Sequence, residues 1–95
     1  MKVGGKLFAI IADEASPLTI SLKCDPEVAL MLRVHYPAVG PGYHLNKRHW
    51  NTVIMDGTVS NKEIKEWIQD SYDLVLEGLP KKVRNELAGK GYPQQ

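Results

Sequence analysis

One stretch of the chain constrains the fold more than any other. Leu18, Ile20, Leu22 and Cys24 alternate with Thr19, Ser21 and Lys23. Successive side chains of an extended chain point to opposite faces, so this period of two separates an apolar face from a polar one. A helix would scatter both sets around its axis. The segment therefore reads as a strand with one wet face, and sheets of that kind are antiparallel. Leu18, Ile20 and Leu22 are expected inside, and Thr19, Ser21 and Lys23 outside.

The flanking sequence supplies the other elements. Gly4-Gly5 between Lys2-Val3 and Lys6-Leu7 has the positive-φ tolerance of a tight hairpin turn. Residues 6–13 are apolar and partly β-branched, as in a central strand. Asp25-Pro26-Glu27 opens a helix: Asp25 caps, Pro26 suits the first position, and Glu27 complements the dipole. That helix should reach about Val34. Residues 36–42 hold Pro37, Gly40, Pro41 and Gly42 and do not read as regular structure. Strands return at Tyr43–Leu45 and Trp50–Asp56, around a polar tip at Asn46–His49.

Ser60 then caps a long helix, with Glu63 placed as in a capping box. Ile64, Trp67, Ile68, Ser71, Tyr72, Val75 and Leu79 share one side of it, and Glu63, Glu66, Asp70, Asp73 and Glu77 the other. Gly78 and Pro80 stop it. Lys81 to about Ala88 forms a last short helix, and residues 89–95 a loose tail. The order β-β-β-α-β-β-α-α is that of an α+β fold on an antiparallel sheet. With 95 residues, the chain is a single domain, 1–95.

Composition narrows the function classes. An apolar share of 43% and a charged share of 24% exclude bulk disorder, collagen-like chains and coiled coils. The longest apolar run, Leu7 to Ala12, falls far short of the roughly 18 residues a membrane span needs. Met1–Lys6 contains no secretory h-region. A single cysteine forbids an intrachain disulfide, and together these features point to a cytoplasmic protein. With 12 Lys+Arg against 11 Asp+Glu, the net charge of +1 argues against a strong nucleic-acid binder.

Few residues suggest chemistry. Cys24 continues an apolar strand face and reads as a buried structural thiol. His35, His44 and His49 are spaced by nine and five residues, which matches no zinc motif, so neither metal nor cofactor is expected. No phosphate loop, nucleophile elbow or paired-carboxylate motif is present, and nothing argues for an enzyme. The basic residues are unevenly placed. No Asp or Glu occurs from Val28 to Met55, where Arg33, Lys47 and Arg48 lie. Lys2 and Lys6 flank the glycine turn. Lys81, Lys82 and Arg84 stand at the start of the last helix, where positive charge opposes the dipole.

The run Tyr43-His44-Leu45-Asn46-Lys47-Arg48-His49-Trp50-Asn51-Thr52-Val53, with Lys2–Ala9, Leu22–Glu27, Ser71–Val75 and Leu79–Lys82, resembles the MmcQ/YjbR family of small bacterial proteins. The resemblance implies a CyaY-like α+β fold with helices packed on one side of the sheet. It also implies DNA binding through two hairpin wings, here the Gly4-Gly5 turn and the Asn46–His49 tip. Family members begin with a helix and part of a strand before the Val-Gly-Gly-Lys segment, whereas this chain starts at Met1-Lys2-Val3. An uncovered sheet edge would then favour a homo-oligomer. Iron binding, known from the related frataxin-type fold, is not carried over, because the acidic helix is its only echo.

Two functions follow as expectations. The first is a non-enzymatic DNA-binding module: Lys47, Arg48, Lys2 and Lys6 on phosphates, with Asn46, His49 and Asn51 on sugar or base edges. The second is a protein- or small-ligand-binding module with Tyr43, His44, Trp50 and Asn51 lining a polar-aromatic pocket. Outward-pointing Lys47 and Arg48 favour the first, and convergence of the pocket residues favours the second.

Overall fold

The computed structural model describes residues 1–14 and 16–89. The expected tail therefore lies, beyond Gly89, outside the described residues. The elements are β1 Lys2–Val3, β2 Lys6–Leu7, β3 Ala9–Ala12, β4 Thr19–Lys23, α1 Pro26–His35, β5 Val39–Pro41, β6 Trp50–Ile54, α2 Asn61–Glu77 and α3 Lys81–Gly89. The order is the expected one, with the long second strand divided at Phe8 into β2 and β3. β1 and β2 form a two-stranded ladder, and the other four strands form an antiparallel sheet in the order β3-β4-β6-β5.

Alternation along β4 and β6 decides which face is dry. Ile20 pairs with Val53 and Leu22 with Asn51, and Val53 pairs in turn with Val39. Ile20, Leu22, Val39 and Val53 belong to one buried cluster with Val3, Phe8, Ala9, Val59, Ile64 and Leu79. Leu32 of α1 and Trp67, Ile68, Tyr72 and Val75 of α2 pack on that cluster, so both helices cover the same face. Each fully buried Val, Leu, Ile or Phe of that cluster contributes roughly 1.5–3 kcal/mol through removal from water.

Two residues of the alternating strand depart from expectation. Leu18 precedes β4 and is 36% exposed. Ser21 is buried on the polar face, where its hydroxyl pairs with Thr52 Oγ1 at 2.8 Å. A cross-strand hydroxyl pair satisfies both groups, so burial there costs little.

Helix ends follow the sequence signals. The Asp25 side chain accepts from the Glu27 amide at 3.0 Å, and the Ser60 hydroxyl accepts from the Glu63 amide at 3.2 Å. Glu63 does not close the capping box on the Ser60 amide. Its carboxylate takes the Tyr36 hydroxyl, tying the end of α1 to the start of α2. Tyr36 and Trp67 meet edge to face, with centroids 4.9 Å apart. In mid-helix, the Ser71 hydroxyl donates to Lys23 O at 2.7 Å, pinning α2 to the end of β4.

The second hairpin is a correction. Tyr43–Leu45, expected as a strand, lies in turns, and Val39–Pro41 is the strand that pairs with β6. Proline lacks an N–H and is tolerated on an edge strand, which is where β5 sits. The hairpin tip therefore spans 42–49, longer than the four residues expected.

Trp67 is half-buried against the sheet and Tyr36. Trp67→Ala is expected to cost about 3 kcal/mol in urea denaturation. A loss under about 1 kcal/mol would show that α2 is anchored elsewhere.

Candidate nucleic-acid interface at one end of the sheet

The register brings the two hairpin turns to one end of the molecule. Ala9, where β3 starts, pairs with Leu22. Lys23, the last residue of β4, pairs with Trp50, the first of β6, and Pro41 pairs with Asn51 beside it. The β1–β2 hairpin and the 42–49 tip therefore leave the sheet at the same end. Between them runs a groove of about 390 Å³ lined by Lys6, Lys23, Trp50, Leu74, Val75 and Leu79, among others.

The first turn is built on glycine. Gly4 and Gly5 have φ of +56° and +80°, the left-handed pair that a two-residue hairpin needs. A Cβ on Gly4 would lie 2.5 Å from Leu79 Cδ1 and 3.1 Å from Val83 Cγ1. The turn thus seats against the α2–α3 junction, while Lys2 and Lys6 remain exposed. At the far side of that junction, Lys81 and Arg84 line a hollow with Asp73 and Glu77. Carboxylates of α2 there offset the unfavourable placement of positive charge at the start of α3.

The second tip is held from inside. Arg33, on α1, donates from Nε to Asn51 Oδ1 at 2.7 Å, from Nη2 to Trp50 O at 3.2 Å, and from Nη2 to Lys47 O. Asn51 Nδ2 donates to Ala29 O at 3.1 Å. Within the tip, the Arg48 amide donates to Asn46 Oδ1 at 2.9 Å, and Lys47 Nζ donates to Gly42 O at 3.0 Å. Gly42 admits no side chain, since a Cβ would stand 2.6 Å from Trp50 Cβ.

This geometry sorts the residues singled out from sequence. Lys47, Arg48 and Asn46 are exposed, as are Lys2 and Lys6. His49 is half-buried, and its carbonyl accepts from the Cys24 amide at 2.7 Å. Asn51 is 1% exposed and its amide is used on Arg33 and Ala29, so it offers nothing to a base edge. The polar-aromatic pocket does not form either. Trp50 and Asn51 are neighbours on β6 and point to opposite faces. Trp50 is buried, with Lys23 Nζ 5.3 Å from its ring centroid, a cation–π distance. Tyr43 is 71% exposed and leans on His44, their rings 4.0 Å apart. Arg33, given no role by the sequence beyond its place in the acid-free stretch, is the tie between α1 and the tip. The signal for that pair was Asn51 itself, a polar residue two positions before Val53 on a strand.

Cys24 and the acidic helix complete the electrostatics. Burial pushes the Cys24 thiol up to about 11, and the thiol donates to Leu22 O at 3.6 Å. At neutral pH it is neutral and no nucleophile. The Asp70 carboxyl is also pushed up, first by burial and then by Asp73 and Glu66. Among the described residues, no group of three or more His, Cys, Asp or Glu side chains is arranged to hold a metal. Among the described residues, no helix is long and apolar enough to cross a membrane.

The Cys24 environment has a pH signature. A thiol with a raised folded-state pKa holds its proton where the unfolded chain, near 9, has lost it. Its contribution to stability is present below about 9 and is lost as pH rises toward 11. Alkylation by a thiol reagent should accordingly be slow at pH 8 in the native chain, fast in urea, and fast in the native chain only near pH 11. Rapid native labelling at pH 8 would contradict this burial.

Comparison with known proteins places these features in a family. The YjbR family model matches residues 1–74, which contain both hairpins, α1 and most of α2. The chain is 37% identical over 87 residues to the uncharacterized protein YjbR of Escherichia coli, covering 92% of this chain and 74% of that protein. It is 38% identical over 81 residues to the uncharacterized E. coli protein YbdF, covering 85% and 66%. The crystal structure of a Deinococcus radiodurans protein with a DUF419 domain superposes with a TM-score of 0.82 at 43% identity, covering 93% of this chain and 63% of that one. A Pseudomonas syringae structure gives a TM-score of 0.64 at 34% identity, covering 73% and 67%. The chain thus spans about two thirds of the length of these relatives. A match through both hairpins, at identities well above the level where only the fold is shared, means that this chain belongs to the YjbR family.

Proposed function

We propose that the chain is a non-enzymatic DNA-binding module of the bacterial cytoplasm that grips phosphates between two hairpin tips. The observation that carries this reading is the shared sheet end. Lys2 and Lys6 on one tip and Lys47 and Arg48 on the other are exposed there, with Lys6 and Lys23 in the groove between. Asn46, also exposed, is in place for a sugar or phosphate oxygen. Because Arg33 braces the second tip from below, Lys47 and Arg48 are displayed with less conformational freedom left to lose on binding. Asn51 has no part in the contact, and among the described residues no arrangement for reading bases replaces it. The reading is therefore of weak binding without sequence preference. The acidic face of α2 stays away from the duplex, and orients it by repulsion.

Three or four phosphate contacts imply a slope of log K against log salt near −3, with a dissociation constant of about 10⁻⁴ to 10⁻⁶ M. Lys47→Glu with Arg48→Glu should lower affinity for random duplex DNA at least tenfold and reduce that slope by about two. Both side chains are exposed and the one bond lost is that of Lys47 Nζ to Gly42 O, so stability should fall by no more than about 1.5 kcal/mol. Glu66→Ala with Asp70→Ala should leave affinity the same or slightly better. Fluorescence anisotropy across a salt series reads all three. Absence of binding by the parent chain at low salt, or indifference to the tip change, would overturn the reading.

A further inference from the structure

The α1 helix turns an apolar face to solvent. Val28 is 42% exposed, Leu30 59%, Met31 51% and Val34 81%, whereas Ala29 is the residue of this helix that is fully buried. At 100° per residue, Val28, Met31 and Val34 share one side with Glu27 and His35, and Leu30 flanks them. A surface helix ordinarily keeps this side polar. The four side chains together expose roughly 400 Å², the size of the largest patch on a typical monomer and often a functional one. Val28 and Met31 also border a groove of about 310 Å³ floored by Leu32, Trp67 and Leu74, so the apolar surface extends onto α2.

The face is complementary to itself. Turned about a two-fold axis through Met31, an antiparallel copy of α1 sets position i against position 62 − i. Met31 then meets the partner subunit's Met31, and Val28 meets the partner subunit's Val34. Glu27, at the positive end of one helix dipole, meets the partner subunit's His35, at the negative end of the other. Polar pairing, dipole and apolar contact all match under a single operation, which is what an isologous interface requires. A parallel or foreign helix would need its own matching order of charge and methyl groups.

We infer that α1 is a homodimerisation surface, with a second copy of this chain packed antiparallel on Val28, Leu30, Met31 and Val34. The patch covers about half of the roughly 800 Å² per partner of a standard interface, so the rims of the adjoining groove are needed too. Association is accordingly weak, micromolar or above. The exposed edge of β3, which includes Ile11 at 51% exposure, is the competing surface for self-association.

Sedimentation velocity across the micromolar range tests the proposal, with circular dichroism reporting the fold. The parent chain should pass from monomer to dimer. Leu30→Glu with Val34→Glu should weaken the dimer at least tenfold, and Ile11→Lys should leave it intact. His35→Glu sets carboxylate against carboxylate at both ends and should weaken it about threefold or more; adding Glu27→Lys should restore it. A chain that stays monomeric throughout overturns the inference. So does a dimer indifferent to the Leu30/Val34 change, or one abolished by Ile11→Lys. Failure of Glu27→Lys to rescue His35→Glu overturns the antiparallel register.

Discussion

The amide of Asn51 is the joint on which the functional end of this molecule depends. It sits on the dry face of β6, 1% exposed, where an unsatisfied amide would cost about 1–3 kcal/mol. One end of it accepts from the Arg33 guanidinium and the other donates to the Ala29 carbonyl, so both ends tie β6 to α1. The rest of the guanidinium reaches the carbonyls of Lys47 and Trp50. Three pieces of chain are fixed by two side chains: the helix α1, the inner strand β6 and the tip. Remove either partner, and the other is left as a half-buried or buried polar group without its match.

This arrangement explains why an eight-residue connection between β5 and β6 has a defined shape. Few apolar contacts hold the tip. Leu45 is half-buried, but residues 46–48 are exposed. Order comes from below, through the carbonyls that Arg33 takes up, and from within, through the Asn46 side chain on the Arg48 amide. The same bonds leave the Lys47 and Arg48 side chains exposed, with the Lys47 ammonium reaching back to Gly42 O. A tip held by its backbone and presenting cations at its surface suits phosphate contact better than a pocket, which would need side chains turned inward.

Much of this was legible in the sequence, and the failures have physical causes. The alternation in β4 and the caps at Asp25 and Ser60 are local signals, and each predicted its element. The strand Val39–Pro41 was hidden because its proline and glycine look like turn residues, and nothing local reveals that β5 lies at an edge. In β6 the alternation sets Trp50, Thr52 and Ile54 on one face and Asn51 and Val53 on the other. Hydrophobicity alone would turn the first of these to the core. The fold uses the second, leaving Ile54 40% exposed, because α1 supplies partners for Asn51. Such pairing across 18 residues is a tertiary fact that no local pattern carries. The same holds for the two tips, whose common position follows from strand register.

The central claim is that Arg33 orders the tip through Asn51 and the backbone carbonyls, and native-state hydrogen exchange of an Arg33→Ala chain tests it most directly. The amides of Gly42, Arg48 and His49, bonded to Trp50 O, Asn46 Oδ1 and Asn46 O in the parent chain, report the tip, and those of Ile20, Ser21 and Leu22 report the sheet. A hydrogen bond to a charged group contributes about 1.5–3 kcal/mol. The account therefore predicts tip amides exchanging at least about tenfold faster than in the parent chain, while the β4 amides stay protected. Unchanged protection at Gly42, Arg48 and His49 would contradict it.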